Sequence, residues 1–155
     1  MENLKKKILC VDDDPINLDL LEAILSQKDY MILKAKGGVE TLEMMNGHAV
    51  DLVLLDLMMP GIDGFEVCRI IKANPDMKHI PVVMVTAMGD KPSRLRGLEV
   101  GANDFLIKPV DSIELLIRVQ NLLRIKEFDD FLKDHNKILT IQVAEKTQEL
   151  RESFI

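Results

Sequence analysis

Leu52–Gly64 reads LVLLDLMMPGIDG, and this stretch decides the fold. Four apolar residues in an unbroken row suit a strand buried on both faces. The row stops at Asp56. A turn-rich passage follows, Met59-Pro60-Gly61-Ile62-Asp63-Gly64, and then a segment of helical period. A buried strand feeding a helix is the repeating unit of a parallel α/β sheet.

The unit recurs on both sides. Ile8-Leu9-Cys10-Val11 stops at Asp12-Asp13-Asp14, Val82-Val83-Met84-Val85 at Thr86, and Phe105-Leu106-Ile107 at Lys108-Pro109. A weaker run, 31–35, is interrupted by Lys34 and followed by Lys36, which suits a sheet edge. Segments of helical period fall at 15–27, 38–46, 64–73, 91–100 and 111–124. The first opens with Pro15 after Asp14, a cap followed by proline at the first helical position. Ile16, Leu20, Ala23, Ile24 and Leu25 are its expected apolar face. Five strands alternating with five helices predict a three-layer, doubly wound parallel sheet with right-handed crossovers.

The chain has 155 residues, enough for one well-buried domain and an appendage. It is 47% hydrophobic and 30% charged, a globular composition. A net charge of -6 argues against nucleic acid as a partner. Cys10 and Cys68 form no C-x-x-C and read as buried or semi-buried free thiols, in keeping with a reducing cytoplasm. No signal peptide or membrane span is expected, because the Ile8 run meets three aspartates after four residues. His48, His79 and His135 are too widely spaced for a metal site. The first two read as loop residues.

From Ser112 onward there is no glycine and no proline. The last helix is therefore expected to run on for roughly 60 Å at about 1.5 Å per residue. Ile125, Phe128, Leu132, His135 and Leu139 step by 3-4-3-4, a heptad-like seam that decays after Ile141-Gln142-Val143. Residues 1–124 are expected to form the domain. Residues 125–155 are expected to form a linker or dimerising coiled coil, cut short before an output domain. A plain C-terminal helix with a frayed polar end is the alternative.

In open parallel sheets, ligands bind beyond the carboxyl ends of the strands. Carboxylates, a hydroxyl and an ammonium would converge there, a set suited to a divalent metal and a phosphoryl group. Mg²⁺ takes one or two carboxylates plus waters and phosphate oxygens, and the aspartates of 12–14 with Asp56 can supply them. Asp14 is spent as the helix cap. Asp56, alone at a strand end, is the candidate nucleophile toward phosphorus. Lys108 would pair with phosphate oxygens as a point charge. The Thr86 hydroxyl would donate to another, and small Ala87 leaves room for its backbone N–H to approach. Each residue has an ordinary alternative: a cap, a strand end, a loop. Their joint placement at four strand ends is what those alternatives do not predict.

ILCVDDDPIN (8–17), LVLLDLMMPGIDGFEV (52–67), IPVVMVTAM (80–88) and GANDFLIKP (101–109) together resemble a two-component response-regulator receiver domain. The resemblance implies a flavodoxin-like fold with strand order 2-1-3-4-5, which the chemotaxis regulator exemplifies. It implies that Asp56 accepts a phosphoryl group from a sensor histidine kinase or phosphotransfer protein. It implies Mg²⁺, or Mn²⁺, on Asp13, Asp56 and the Met58 backbone carbonyl, with Asp12 acting mainly through water. Thr86 and Phe105 match the switch pair, although core packing remains an alternative for Phe105. Lys108-Pro109 is the candidate cis peptide bond. In this reading Thr86 and Lys108 contact the phosphoryl group rather than hold the resting site together.

The resemblance also implies that Met58 and Met88, two residues after Asp56 and two after Thr86, flank the phosphoryl group, where two apolar side chains give water no polar anchor. Slow dephosphorylation is the expectation, and gap-filling is the alternative. The segment RIKEFDDFLKDHNKILTIQVAEKTQEL (124–150) resembles linkers that precede HD-GYP phosphodiesterase domains for cyclic di-GMP. Similar linkers precede diguanylate cyclase and kinase domains. The expected device is a non-enzymatic switch. Its changed face of fourth helix, fifth strand and fifth helix would alter how two chains' helices pair and reach an output. The rival is a haloacid-dehalogenase-type aspartyl-phosphate phosphatase, for which Asp12-x-Asp14 fits, Ile16 does not, and Asp56 is left unexplained. A flavin binder is disfavoured by the acidic first loop. A degenerate receiver is disfavoured by the complete set Asp12, Asp13, Asp56, Thr86 and Lys108.

Overall fold

A computed structural model describes residues 5–153, apart from the side chains of 137, 138, 149 and 151–153. Strands and helices alternate: β1 (Lys6–Val11), α1 (Pro15–Leu25), β2 (Tyr30–Ala35), α2 (Gly38–Gly47), β3 (Leu52–Leu55), α3 (Gly64–Ala73), β4 (Val82–Thr86), α4 (Lys91–Glu99), β5 (Asp104–Ile107) and α5 (Ser112–Ser153). The sheet runs β2-β1-β3-β4-β5, every neighbouring pair parallel. The chain leaves β1 to one side and returns to its other side, so a crevice opens past the ends of β1 and β3. Register aligns those ends: Val11 pairs with Leu55, and Leu55 with Met84.

Successive strand residues point to opposite faces, and the core divides accordingly. Leu9, Val11, Val53, Leu55, Val82 and Met84 pack with Phe65, Val67 and Ile71 of α3. Ile8, Cys10, Leu52, Leu54, Val83 and Val85 pack with α1 and with Leu115, Val119 and Leu123 of α5. The inner strands therefore need apolar residues at every position. β2 is an edge, as its lysines suggested, and Lys34 Nζ bridges Asp19 and Glu22 of α1 at 2.9 and 3.1 Å.

The expected face of α1 is largely wrong. Leu18, Leu21, Ile24 and Leu25 are buried, whereas Ile16 is 75% and Leu20 55% exposed, and Ala23 is exposed too. Residues 16, 20 and 23 form a second apolar stripe about half a turn from 18, 21 and 25. Both stripes have helical period, and only the direction in which the crossover meets the sheet selects between them.

The chain divides into two units between Leu123 and Arg124. The second is helical, and its exposed apolar residues include the expected seam members Ile125, Phe128, Leu132 and Leu139. Phe131, outside that seam, stacks on His135 with ring centroids 5.7 Å apart.

Candidate functional site

Asp12 and Asp56 each follow directly on a paired strand end, which places their side chains next to each other. The Asp56 N–H donates to the Val11 carbonyl at 3.0 Å. Asp12 is 1% and Asp56 6% exposed, while Asp13 is open to solvent. Carboxylate oxygens of Asp12, Asp13 and Asp56 lie within 4.8 Å of one another. Asp14 stands apart: its side chain accepts the Ile16 N–H at 2.9 Å and caps α1. Asp12 Oδ1 accepts the Asp14 N–H at 2.9 Å, which fixes the orientation of the Asp12 carboxylate.

Lys108 corrects the expectation that it stands apart from the resting site. Its ammonium donates to Asp12 Oδ2 at 2.7 Å and to Asp56 Oδ2 at 3.3 Å. Two buried carboxylates side by side repel each other strongly in a low-dielectric crevice, and a cation between them removes much of that cost. Lys108 is positioned by its own N–H, which donates to the Thr86 carbonyl at 2.8 Å, and a cis peptide bond joins it to Pro109.

Burial raises the Asp56 pKa above the usual carboxylate range, and the Asp12 charge adds to this, while Lys108 and the Met58 N–H pull it back. Burial works against the charged Lys108, but the Asp12 hydrogen bond and both carboxylate charges outweigh it and raise its pKa. The crevice thus favours the ammonium form of Lys108 and disfavours the carboxylate form of Asp56.

The other strand-end residues surround this pair. Thr86 is fully buried at the end of β4, and its Oγ1 accepts the Met88 N–H at 3.2 Å. The hydroxyl proton remains available to a further acceptor. The Met58 N–H donates to Asp56 Oδ1 at 3.3 Å, and its residue is 62% exposed. Ala87 is exposed beside Thr86. Phe105 is half-buried and packs against the cluster that contains Met84. The three carboxylates suit a hard divalent cation that keeps some water, as Mg²⁺ and Mn²⁺ do.

Two glycines, Gly64 in the turn-rich passage after Asp56 and Gly97 in α4, shape the site. A Cβ on Gly64 would lie 2.3 Å from the Asp56 carbonyl oxygen, so only glycine lets α3 start so close to the end of β3. A Cβ on Gly97 would lie 2.9 Å from Met84 Sδ and 3.4 Å from the Phe105 ring, so α4 rests directly on both. The one signal for Gly64 was its place after the capping Asp63, whose side chain accepts the Glu66 N–H. Gly97 carried none.

Residues 8–120 match the family described as "Response regulator receiver domain". The chain belongs to that family. It is 45% identical over 130 residues to response regulator PleD of Caulobacter vibrioides, covering 84% of this chain and 29% of that one. It is 38% identical over 151 residues to a probable cyclic di-GMP phosphodiesterase of Vibrio cholerae, covering 97% of this chain and 34% of that one. The chain therefore spans about a third of these relatives' lengths. A solved putative response regulator of Chloroflexus aurantiacus superposes with a TM-score of 0.75 at 36% identity, covering 78% of this chain and 99% of that one. The receiver domain of a two-component response regulator is thus present, with CheY-like structure. The phosphatase reading has no such support, and Asp14, which it needs in the site, caps α1 instead. Among the described residues no helix is long and apolar enough to cross a membrane.

Proposed function

We propose that this receiver domain is a phosphorylation switch in which Asp56 takes a phosphoryl group from a phosphohistidine of a sensor kinase or phosphotransfer protein. The observation that carries the reading is Asp56 held beside Asp12 and Lys108 in the crevice past β1 and β3. An Asp56 carboxylate oxygen forms a bond to phosphorus as the donor's P–N bond breaks. The imidazole nitrogen leaves with the electron pair. Asp12, Asp13, Asp56 and the Met58 carbonyl are the residues that would hold Mg²⁺. When bound, the ion neutralises charge on the transferring oxygens. Lys108 exchanges its carboxylate partner for a phosphoryl oxygen. The Thr86 hydroxyl and Ala87 N–H donate to the others, and the Phe105 ring turns inward as Thr86 moves.

The switch shifts a pre-existing two-state equilibrium at the α4–β5–α5 face. Residues 1–124 form the receiver, and 125–155 form a linker that pairs with the same segment of a second chain. Exposed Ile125, Phe128, Leu132 and Leu139 support that pairing. The likeness to the Vibrio protein across 97% of this chain supports an output in cyclic di-GMP turnover. The free, buried thiols Cys10 and Cys68 support a cytoplasmic setting.

Incubation with acetyl phosphate and Mg²⁺ tests the central claim. The mass gain of one phosphoryl group is expected in the native chain and absent in Asp56→Asn and in EDTA. A gain that survives Asp56→Asn refutes it. Light scattering of the chain with and without beryllofluoride tests pairing, and a monomer in both states refutes the dimer.

A further inference from the structure

Eight methionines lie among the described residues, and two of them, Met31 and Met58, are exposed. Met31 is on the edge strand β2 at 44% exposure, away from the site. Met58 is the more open at 62%, and its backbone N–H is tied to the Asp56 carboxylate. Its side chain lines a cleft of about 460 Å³ together with Leu57, Met59, Phe65 and Met88. The cleft's charged residues are Asp63, which caps α3, and Arg96, whose guanidinium sits 4.3 Å from the centre of the Phe65 ring. Met88 is tied by its own N–H to Thr86. A thioether-lined cleft therefore adjoins the phosphoacceptor, and its most accessible member is two residues from Asp56.

We propose that Met58 is an oxidation site for peroxide, and that its sulfoxide shortens the life of the phosphoryl group on Asp56. The proposal rests on the phosphoacceptor role of Asp56 given above. In the step, the thioether sulfur attacks one peroxide oxygen and the O–O bond breaks. Sulfur gains that oxygen and is oxidised by two electrons. The other oxygen is reduced and leaves as water with the peroxide protons. The product replaces an apolar group by a strong hydrogen-bond acceptor, and the change is reversible by sulfoxide reductases. An acceptor at that place gives the attacking water an anchor that the thioether does not offer. One added hydrogen bond to the attacking water shortens the half-life by about threefold or more.

The test uses the full chain with hydrogen peroxide. Peptide mass spectrometry on unphosphorylated protein is expected to find Met58 oxidised first or together with Met31, ahead of every buried methionine. The aspartyl-phosphate half-life in Mg²⁺, read as hydroxylamine-labile phosphate, is expected to fall after peroxide in the native chain and in Met31→Leu. It is expected not to change with peroxide in Met58→Leu. Met58→Gln, which places a polar group at similar reach, is expected to shorten it without peroxide. Met58 left unoxidised while buried methionines react, or an oxidised Met58 with an unaltered half-life, overturns the proposal. Failure of the phosphoacceptor reading shows separately, as absence of aspartyl phosphate before any peroxide is added.

Discussion

Lys108 bonds Asp12 more closely than it bonds Asp56, at 2.7 Å against 3.3 Å. The ammonium thus sits nearer Asp12, and its contact with Asp56 is the longer of the two.

Lys108 and a divalent cation draw on the same carboxylates. Removing the ammonium in Lys108→Met should tighten Mg²⁺ binding to the unphosphorylated chain by about tenfold, since a neighbouring unit charge at this partial exposure is worth about 1–2 kcal/mol. Isothermal titration with MgCl₂ reads this directly. Equal or weaker binding would mean that the ammonium does not oppose the cation.

Asp56 carries a pH signature. Its pKa is raised in the folded chain by burial first and the Asp12 charge second. A carboxyl with a raised folded pKa adds stability below its unfolded value of 3.8 and loses that contribution as pH climbs through the folded value. At neutral pH, without metal, the ionised group therefore costs stability. Asp56→Asn should melt a few degrees higher than the native chain in EDTA at pH 7, with the difference vanishing near pH 3. A melting point at pH 7 equal to or below the native one contradicts this.

The two close-packed glycines should respond unequally. Gly64→Ala drives a methyl into the Asp56 carbonyl and the Leu57 backbone, which cannot yield, and should cost about 3 kcal/mol or more. Gly97→Ala meets the flexible Met84 side chain first and should cost about 1 kcal/mol. Urea unfolding of both variants checks the order.

Burial pushes the Cys10 thiol up to about 12 and the Cys68 thiol up to about 11. Neither should react with a disulfide reagent at pH 8 in the folded chain, and both should react in denaturant. Rapid titration of either thiol under native conditions would show that its site opens.

Met88 should tune the same hydrolysis as Met58. Replacing it by a polar residue such as Gln should hasten loss of the phosphoryl group by about threefold or more, for want of an apolar screen. An unchanged rate would make Met88 packing alone.

The local pattern of residues was sufficient for much of this molecule. Unbroken apolar runs mark β1, β3 and β4 because strands covered on both faces leave no place for polar side chains. Asp14-Pro15 marked the start of α1, because a cap and a fixed φ act within one turn. The motifs around Asp12, Asp56, Thr86 and Lys108 were legible because each sits at, or directly after, the last residue of a strand. What sequence spacing does not encode is which element lies beside which. The Lys108–Asp12 bond joins residues 96 apart in the chain and exists because β1 and β5 end at the same edge of one sheet. The choice of Leu18, Leu21 and Leu25 over Ile16 and Leu20, and the need for glycine at 64 and 97, arose in the same way. They depend on the approach of one element to another, which only the packed structure decides.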